Sequence, residues 1–373
     1  MLDKAFKFTG RDLTKLTIMI IMATLLFGLP GLMMMLLLQW ITYQSYAIES
    51  TDKHGISQVG ASRLGGAAVF GFALILYLLG SYSEVLVSDS LPPAPAVGWF
   101  AVIGCTLIGL IDDLKSNLLS PRFRLISTVV IFSICLGLWS SLIPRSLGVP
   151  VLDTLLSAPF IGWFLTVVFC IGFVNAINMA DGANGLMPGT LTLAFIAFYL
   201  ETGLLAYAVL MTSCGLFAIF NVISGRLFLG DAGAYGLGSV LVTSGLFLFS
   251  EGVFSAAFLA VLFAYPCIDI LVTVTRRRLK GRSILLPDND HLHNRVHFHC
   301  QNWFRSRTLA NSMTGVLIVS LSSGIAILGY TQAWWPATSN QWAWVFLAQC
   351  AMYLATFVVT GLSRPSSQYV TSQ

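Results

Sequence analysis

The 373 residues are 56% hydrophobic and only 10% charged, with a mean hydropathy of +0.82. That balance excludes the pair of soluble domains the length alone would suggest, and describes one polytopic membrane bundle. The net charge of +4 informs only through its distribution, because orientation follows Lys and Arg in short loops, and no nucleic-acid partner is expected.

Apolar runs near 16–40, 64–87, 97–111, 125–143, 160–177, 186–200, 203–223, 234–250, 253–275, 311–331 and 341–362 predict about eleven transmembrane helices in an all-α fold. The pair 186–200 and 203–223 is split only by Glu201-Thr-Gly203. Leu16 to Trp40 is too long for the apolar core of a cleaved signal peptide, and no small-residue cleavage site is evident. The seven cysteines are single, and Cys105, Cys135, Cys170, Cys214, Cys267 and Cys350 lie inside apolar runs, so they read as small core hydrophobes. With no repeat and no linker, 1–373 reads as one domain.

Placing Tyr43 to Arg63 in the cytoplasm puts fifteen of the twenty Lys and Arg in cytoplasmic loops. Lys4, Lys7, Arg11, Lys15 and Arg145 remain opposite. The expected topology therefore has the N-terminus outside and the C-terminus cytoplasmic. The polar clusters then fall on the cytoplasmic face, in loops near 41–63, 112–124, 175–186, 224–233 and 276–308, whereas Glu84, Asp89, Asp153, Glu201 and Glu251 sit singly in turns on the other side.

In chain order, the first chemical signal is Asp112-Asp113, at the end of a span. Two adjacent carboxylates in a partly desolvated place repel unless a cation or a shared proton relieves them. Mg²⁺ meets that need with hard oxygen ligands; a helix end paired with Lys115, Arg122 or Arg124 is the plain alternative. Asn175 to Leu186 packs three asparagines, one aspartate and two glycines into twelve residues. It is either an Asx-rich turn or a ligand or metal site built on Asn178, Asp181 and Asn184. Phe228-Leu-Gly-Asp-Ala-Gly233 holds Asp231 in a turn where backbone can approach a ligand. Asp269, beside Pro266, is the one acid well inside a span. Arg276-Arg-Arg278 fits an anchor on anionic headgroups. His291, His293 and Arg295, after Pro287-Asp-Asn-Asp290, supply donors suited to phosphate oxygens; a His-built metal site is the other reading. His297 and His299 continue the alternation as ordinary loop residues.

Together and in this order, these pieces resemble the polyprenyl-phosphate N-acetylhexosamine-1-phosphate transferases, over roughly residues 40 to 310. Arg63-Leu-Gly-Gly66 also resembles that family's first cytoplasmic loop, and the eleven-helix count looks most like its branch using N-acetylglucosamine. Three positions depart from the family pattern: Ser116 replaces a third acid, Asn184 stands where many bacterial members have Asp, and Asn294 replaces the second of paired histidines. The resemblance implies transfer of a sugar 1-phosphate from a UDP-N-acetylhexosamine to undecaprenyl phosphate at a bacterial inner membrane, releasing UMP and initiating a cell-envelope polysaccharide such as O-antigen or common antigen. It implies Mg²⁺, with Mn²⁺ as the alternative ion, on Asp231 and Asn178. Asp112 would act as base or orienting group on the lipid phosphate, supported by Asp113. Asp181, Asn184 and the ring of Phe228 would hold the nucleotide, and His291, His293 and Arg295 the diphosphate or sugar. Membrane lipids are expected partners and a homodimer is compatible. The rival functions are an ion-coupled transporter and a non-catalytic scaffold.

Overall fold

Hydrocarbon offers no partner for a backbone N–H or C=O, so apolar runs of this length can cross it only as helices or a closed barrel. The computed structural model, which describes residues 10–43, 61–82, 97–115, 118–283, 289–304 and 306–362, takes the helical solution. Its helices are α1 (Gly10–Tyr43), α2 (Gly65–Tyr82), α3 (Val97–Leu114), α4 (Pro121–Leu138), α5 (Pro150–Leu156), α6 (Pro159–Ala180), α7 (Leu186–Thr202), α8 (Leu205–Ser224), α9 (Gly230–Ser250), α10 (Ala256–Leu262), α11 (Ala264–Leu279), α12 (Leu292–Trp303), α13 (Arg307–Leu321), α14 (Ser323–Thr331) and α15 (Trp342–Leu362). The protein is an all-α polytopic membrane protein.

Among the described residues seven helices, α1, α3, α4, α6, α8, α9 and α15, are long and apolar enough to cross a bilayer. Two bent pairs, α10 with α11 at 81° and α13 with α14 at 45°, are long and apolar enough only when each is taken together, and α2 and α7 are shorter apolar helices. These segments coincide with the eleven predicted runs. Residues 44–60, with Lys53 and His54, lie outside the described part, as do Ser116, Pro287 and Asp288.

α9 is the axis, 89% buried over its apolar window and packed by α2, α3 and α6. Lipid is as apolar as leucine, so helices associate here by close packing, and small residues at the contact permit it. A Cβ on Gly66 of α2 would run into the backbone of Gly233 on α9. α15, α1 and α4 lie outermost, with only 11%, 22% and 22% of their apolar stretches buried.

The two bent pairs are stitched to their neighbours. Ser323 Oγ donates to Leu262 O (2.7 Å) at the α10–α11 break, and Gln349 Nε2 on α15 donates to Ser322 O (3.0 Å) at the α13–α14 break. Carbonyls released by each bend therefore keep partners. The free cysteines are buried or half-buried, as the apolar surroundings predicted.

At one end of the bundle meet the C-terminal turns of α3 and α6 and the N-terminal turns of α2, α4 and α9. At the other, Ser255 N–H donates to Ala337 O (2.9 Å), and Trp139 stacks obliquely on Phe247, with centroids 5.7 Å apart.

Candidate active site

A carboxylate on the last turn of a helix opposes the negative end of the macrodipole, so it needs donors from elsewhere. Asp113, fully buried, finds them on α9: Oδ1 accepts from Asp231 N–H (2.9 Å) and Oδ2 from Ala232 N–H (2.7 Å). It therefore caps α9 from α3, placing negative charge at the positive end of that helix. The chain enters α9 through Gly230 at φ 73°, a left-handed conformation that glycine adopts without a Cβ penalty.

Asp112 Oδ1 accepts from Leu119 N–H (3.1 Å) and its Oδ2 from Arg124 Nη1 (3.2 Å). The same Nη1 donates to Asp231 Oδ2 at 2.9 Å. Arg124 stands in the first turn of α4, which starts with Pro121 after an N-cap in which Ser120 Oγ accepts from Phe123 N–H (3.2 Å). Of the three basic partners left open by the sequence, the structure selects Arg124, which joins carboxylates from two different helices. The Asp231 side chain is 15% exposed and that of Asp112 4%, so Asp231 forms the open side of the group.

The Asn175–Leu186 turn is held from beneath. Asn175 Nδ2 donates back to Ile171 O (2.8 Å). Asn178 and Asp181 are half-buried on and just beyond the last turn of α6. Asn184 is buried: its N–H donates to Asn311 Oδ1 (3.2 Å) and its Nδ2 to Ser312 Oγ (3.3 Å), both on α13. Gly185 N–H donates to Asn221 Oδ1 (2.5 Å), while Asn221 Nδ2 donates to Leu227 O (2.7 Å). One buried amide on α8 thus ties this turn to the segment carrying Phe228. That segment pairs with the end of the first loop: Phe228 N–H donates to Ser62 O (2.9 Å) and Gly65 N–H to Phe228 O (3.1 Å). Its ring is half-buried.

The histidine segment is anchored on α11 and α15. His291 Nδ1 lies 2.7 Å from Asp269 Oδ2, and Tyr353 OH donates to Asp269 Oδ1 (2.6 Å). His293 N–H donates to Tyr265 OH (3.2 Å), and that hydroxyl lies 2.8 Å from His293 Nδ1. A Cβ on Gly182 would meet His293 Nε2, so this ring faces the Asn175–Leu186 turn. Arg295 holds Asp290 through Nε (2.8 Å) and Nη2 (3.0 Å), donates from Nη1 to Phe357 O (2.6 Å), and lies 3.6 Å over the Phe357 ring. The structure therefore commits the Arg295 guanidinium to α15 and Asp290. A buried cation needs that full set of partners. His297 is buried with Gln301 at 2.6 Å, and burial holds its pKa below the usual histidine value, as suits a packed residue.

The chain matches the model of glycosyl transferase family 4 over residues 96–249, the stretch that carries both carboxylate helices, Asn175 to Leu186 and Phe228. It is 28% identical over 262 residues to a probable undecaprenyl-phosphate N-acetylglucosaminyl 1-phosphate transferase of Bacillus subtilis, covering 67% of this chain and 69% of the relative. The phospho-N-acetylmuramoyl-pentapeptide-transferase of Staphylococcus saprophyticus is 28% identical over 300 residues, 74% of this chain and 88% of that protein. Its counterpart in Staphylococcus carnosus is 27% identical over 278 residues, 70% and 83% of the two chains. The chain is a phosphotransferase similar to those of glycosyl transferase family 4. With its apolar helices and these bacterial relatives, the transferase is a multi-pass protein of the bacterial inner membrane.

The donor chemistry of the carboxylate end fits a hard divalent ion. Two carboxylate oxygens, Asp112 Oδ2 and Asp231 Oδ2, already converge on one cationic nitrogen, and oxygen ligands in small number are how Mg²⁺ is held. Among the described residues no three His, Cys, Asp or Glu side chains close around one point, so a metal on the transferase would keep places for substrate oxygens. Sequence reasoning missed Asn221, Asn311, Ser312 and Tyr353. Each acts across tens of residues from a position inside an apolar helix, and only Asp269 among the supporting groups had a signal, a carboxylate within a span.

Proposed function

We propose that the transferase moves a sugar 1-phosphate from a UDP-N-acetylhexosamine, UDP-N-acetylglucosamine foremost, to undecaprenyl phosphate. The products are undecaprenyl-diphospho-N-acetylhexosamine and UMP, the first lipid-linked intermediate of a cell-envelope polysaccharide. The observation that carries the reading is the convergence of Asp112, Asp113, Asp231 and Arg124 at one end of a membrane bundle, beside a turn that touches His293. A water-soluble nucleotide sugar and a lipid phosphate can meet only at such a boundary. Similarity to the probable undecaprenyl-phosphate N-acetylglucosaminyl 1-phosphate transferase of Bacillus subtilis supports the choice of sugar and carrier.

In this reading 1–373 is a single transmembrane catalytic domain with its active end in the cytoplasm, as the placement of fifteen of twenty basic residues supports. Asp231, with Asn178, would hold Mg²⁺, which when bound polarises the diphosphate and stabilises the leaving UMP. Asp113 keeps Asp231 in register through the two amides of α9. Asp112 orients the lipid phosphate oxygen for in-line attack, and Arg124 balances the charge of the carboxylates, since phosphoryl transfer needs alignment and charge neutralisation more than covalent chemistry. Phe228 stacks on uracil, Asp181 and Asn184 frame the nucleotide, and His291 and His293 bind diphosphate or sugar. Arg295 contributes by holding the histidine segment on α15. Ion-coupled transport is disfavoured because the carboxylates gather at one end of the bundle rather than near the midplane, where transporters place their ion and substrate sites.

The test is UMP release by purified protein given undecaprenyl phosphate and a panel of UDP-sugars, with and without Mg²⁺. Mg²⁺-dependent release from UDP-N-acetylglucosamine is expected; release from none of the panel would sink the reading. For orientation, a cysteine at Ser283 should be shielded from impermeant thiol reagents added to intact cells while one at Thr338 labels.

A further inference from the structure

The two histidines of α12 and its N-cap stand with parallel rings, centroids 5.5 Å apart at 5°, yet their Nδ1 atoms meet opposite chemistry. His291 Nδ1 faces a carboxylate oxygen, Asp269 Oδ2, at 2.7 Å. An ionised carboxylate only accepts, and the other oxygen of Asp269 already takes the Tyr353 hydroxyl and the Leu292 amide. His291 Nδ1 must therefore carry a proton. His293 Nδ1 faces the Tyr265 hydroxyl at 2.8 Å, and that oxygen already accepts the His293 backbone N–H. Among the described residues the hydroxyl proton has no other acceptor, so it is directed at the ring and His293 Nδ1 is unprotonated.

From this arrangement we infer that Asp269 and Tyr265 impose opposite tautomers on two stacked histidines. The consequence falls on the second nitrogen of each ring. His293 Nε2 carries the proton and is a fixed donor, aimed at the Asn175–Leu186 turn. His291 Nε2 is the basic nitrogen, strengthened by the carboxylate behind its ring. The pair therefore offers one donor and one acceptor side by side, a set that matches a sugar phosphate: a phosphate oxygen for His293 and a hydroxyl for His291. Asp269, Tyr265 and Tyr353 are positioning residues, and Tyr353 makes α15 part of the device. The assignment to a sugar phosphate rests on the proposed transferase reading; the tautomers do not.

The experiment uses full-length protein with ¹⁵N-labelled histidine in lipid nanodiscs, with His291→Asn and His293→Asn to assign signals. Asparagine keeps an amide donor for Asp269 while removing the second ring nitrogen. His291 should be protonated at Nδ1 and His293 bare there. Tyr265→Phe should change the His293 signals and leave those of His291. The same Nδ1 state in both rings, or a Tyr265→Phe spectrum unchanged at His293, overturns the inference whether or not the protein turns over. In kinetics, Asp269→Asn should lower kcat/KM for UDP-N-acetylglucosamine roughly 10- to 100-fold, the loss of one charge-assisted hydrogen bond, and should have no further effect in a His291→Asn background. Equal losses in both backgrounds would mean that Asp269 does not act through His291. Failure of UMP release with the tautomers as stated would sink the transferase reading alone.

Discussion

Around Asp231 three carboxylates from two helix ends gather with three backbone amides, two of them, Asp112 and Asp231, share the Arg124 guanidinium, and the group opens toward solvent at Asp231. Around His291 the arrangement is reversed: Asp269 alone accepts from His291, Tyr353 and Leu292, and all four residues are buried. The first region sets three carboxylates against the guanidiniums of Arg124 and Arg63, so its open side can still accept a cation. The second is closed, and it can only present what its partners fix. The carboxylate end falls within the family match at 96–249, whereas the histidine end lies beyond it and leans on α15. Charge is thus supplied by the matched core, and direction by the surrounding helices.

The strongest way to break this contrast is Asp231→Asn, which keeps shape and removes the exposed charge. If Asp231 holds a metal, the loss of several kcal/mol of transition-state stabilisation at 1.36 kcal/mol per tenfold means turnover falling by a factor on the order of hundreds. UMP release across a Mg²⁺ titration measures it, and near-normal turnover at ordinary Mg²⁺ would falsify the assignment. Asp113→Ala should act through architecture instead. Stripping two buried amides of their acceptor costs ~1–3 kcal/mol each, so the melting temperature in detergent should drop by several degrees with turnover falling in step. A variant inactive yet as heat-stable as the wild type would place Asp113 in the chemistry rather than the cap.

Arg124→Gln sharpens the comparison from the other side. Removing the cation that Asp112 and Asp231 share should tighten Mn²⁺ binding by about tenfold or more, since a like charge ~4 Å from the metal costs about 1 kcal/mol even in bulk water. Calorimetric titration in nanodiscs reads this without turnover, and an unchanged or weaker affinity would show that Arg124 does not compete with metal. Arg295→Ala should lower stability through lost contacts to Asp290 and Phe357, charged hydrogen bonds being worth ~1.5–3 kcal/mol, while the KM for UDP-sugar changes less than threefold. A large KM increase at unchanged melting temperature would return Arg295 to the substrate. The smallest effect belongs to Asn294→His: among the described residues the half-buried amide donates only to Asn289 O (2.9 Å), so activity should stay within about twofold, consistent with ±0.5 kcal/mol for such positions.

Composition and apolar periodicity by themselves determined that the chain is a helical membrane protein and where its eleven apolar segments lie, because a span needs length and hydrocarbon character that any folded state must honour. The order of Asp112-Asp113, Asn175 to Leu186, Phe228 to Gly233 and His291 to Arg295 likewise carried the resemblance to the family, since motifs are local. Tertiary structure alone decided how those residues divide their labour. Which of Lys115, Arg122 and Arg124 answers the carboxylates depends on how α4 packs on α3 and α6. That Asp113 caps α9 depends on a contact between helices more than a hundred residues apart in sequence. Arg295 reads as a phosphate donor in one dimension and is spent on α15 in three. Asn184 faces α13, and Tyr353 supports a histidine far upstream. Nothing in a linear pattern encodes these pairings, because an apolar helix conceals which of its few polar atoms turns inward until its neighbours are in place.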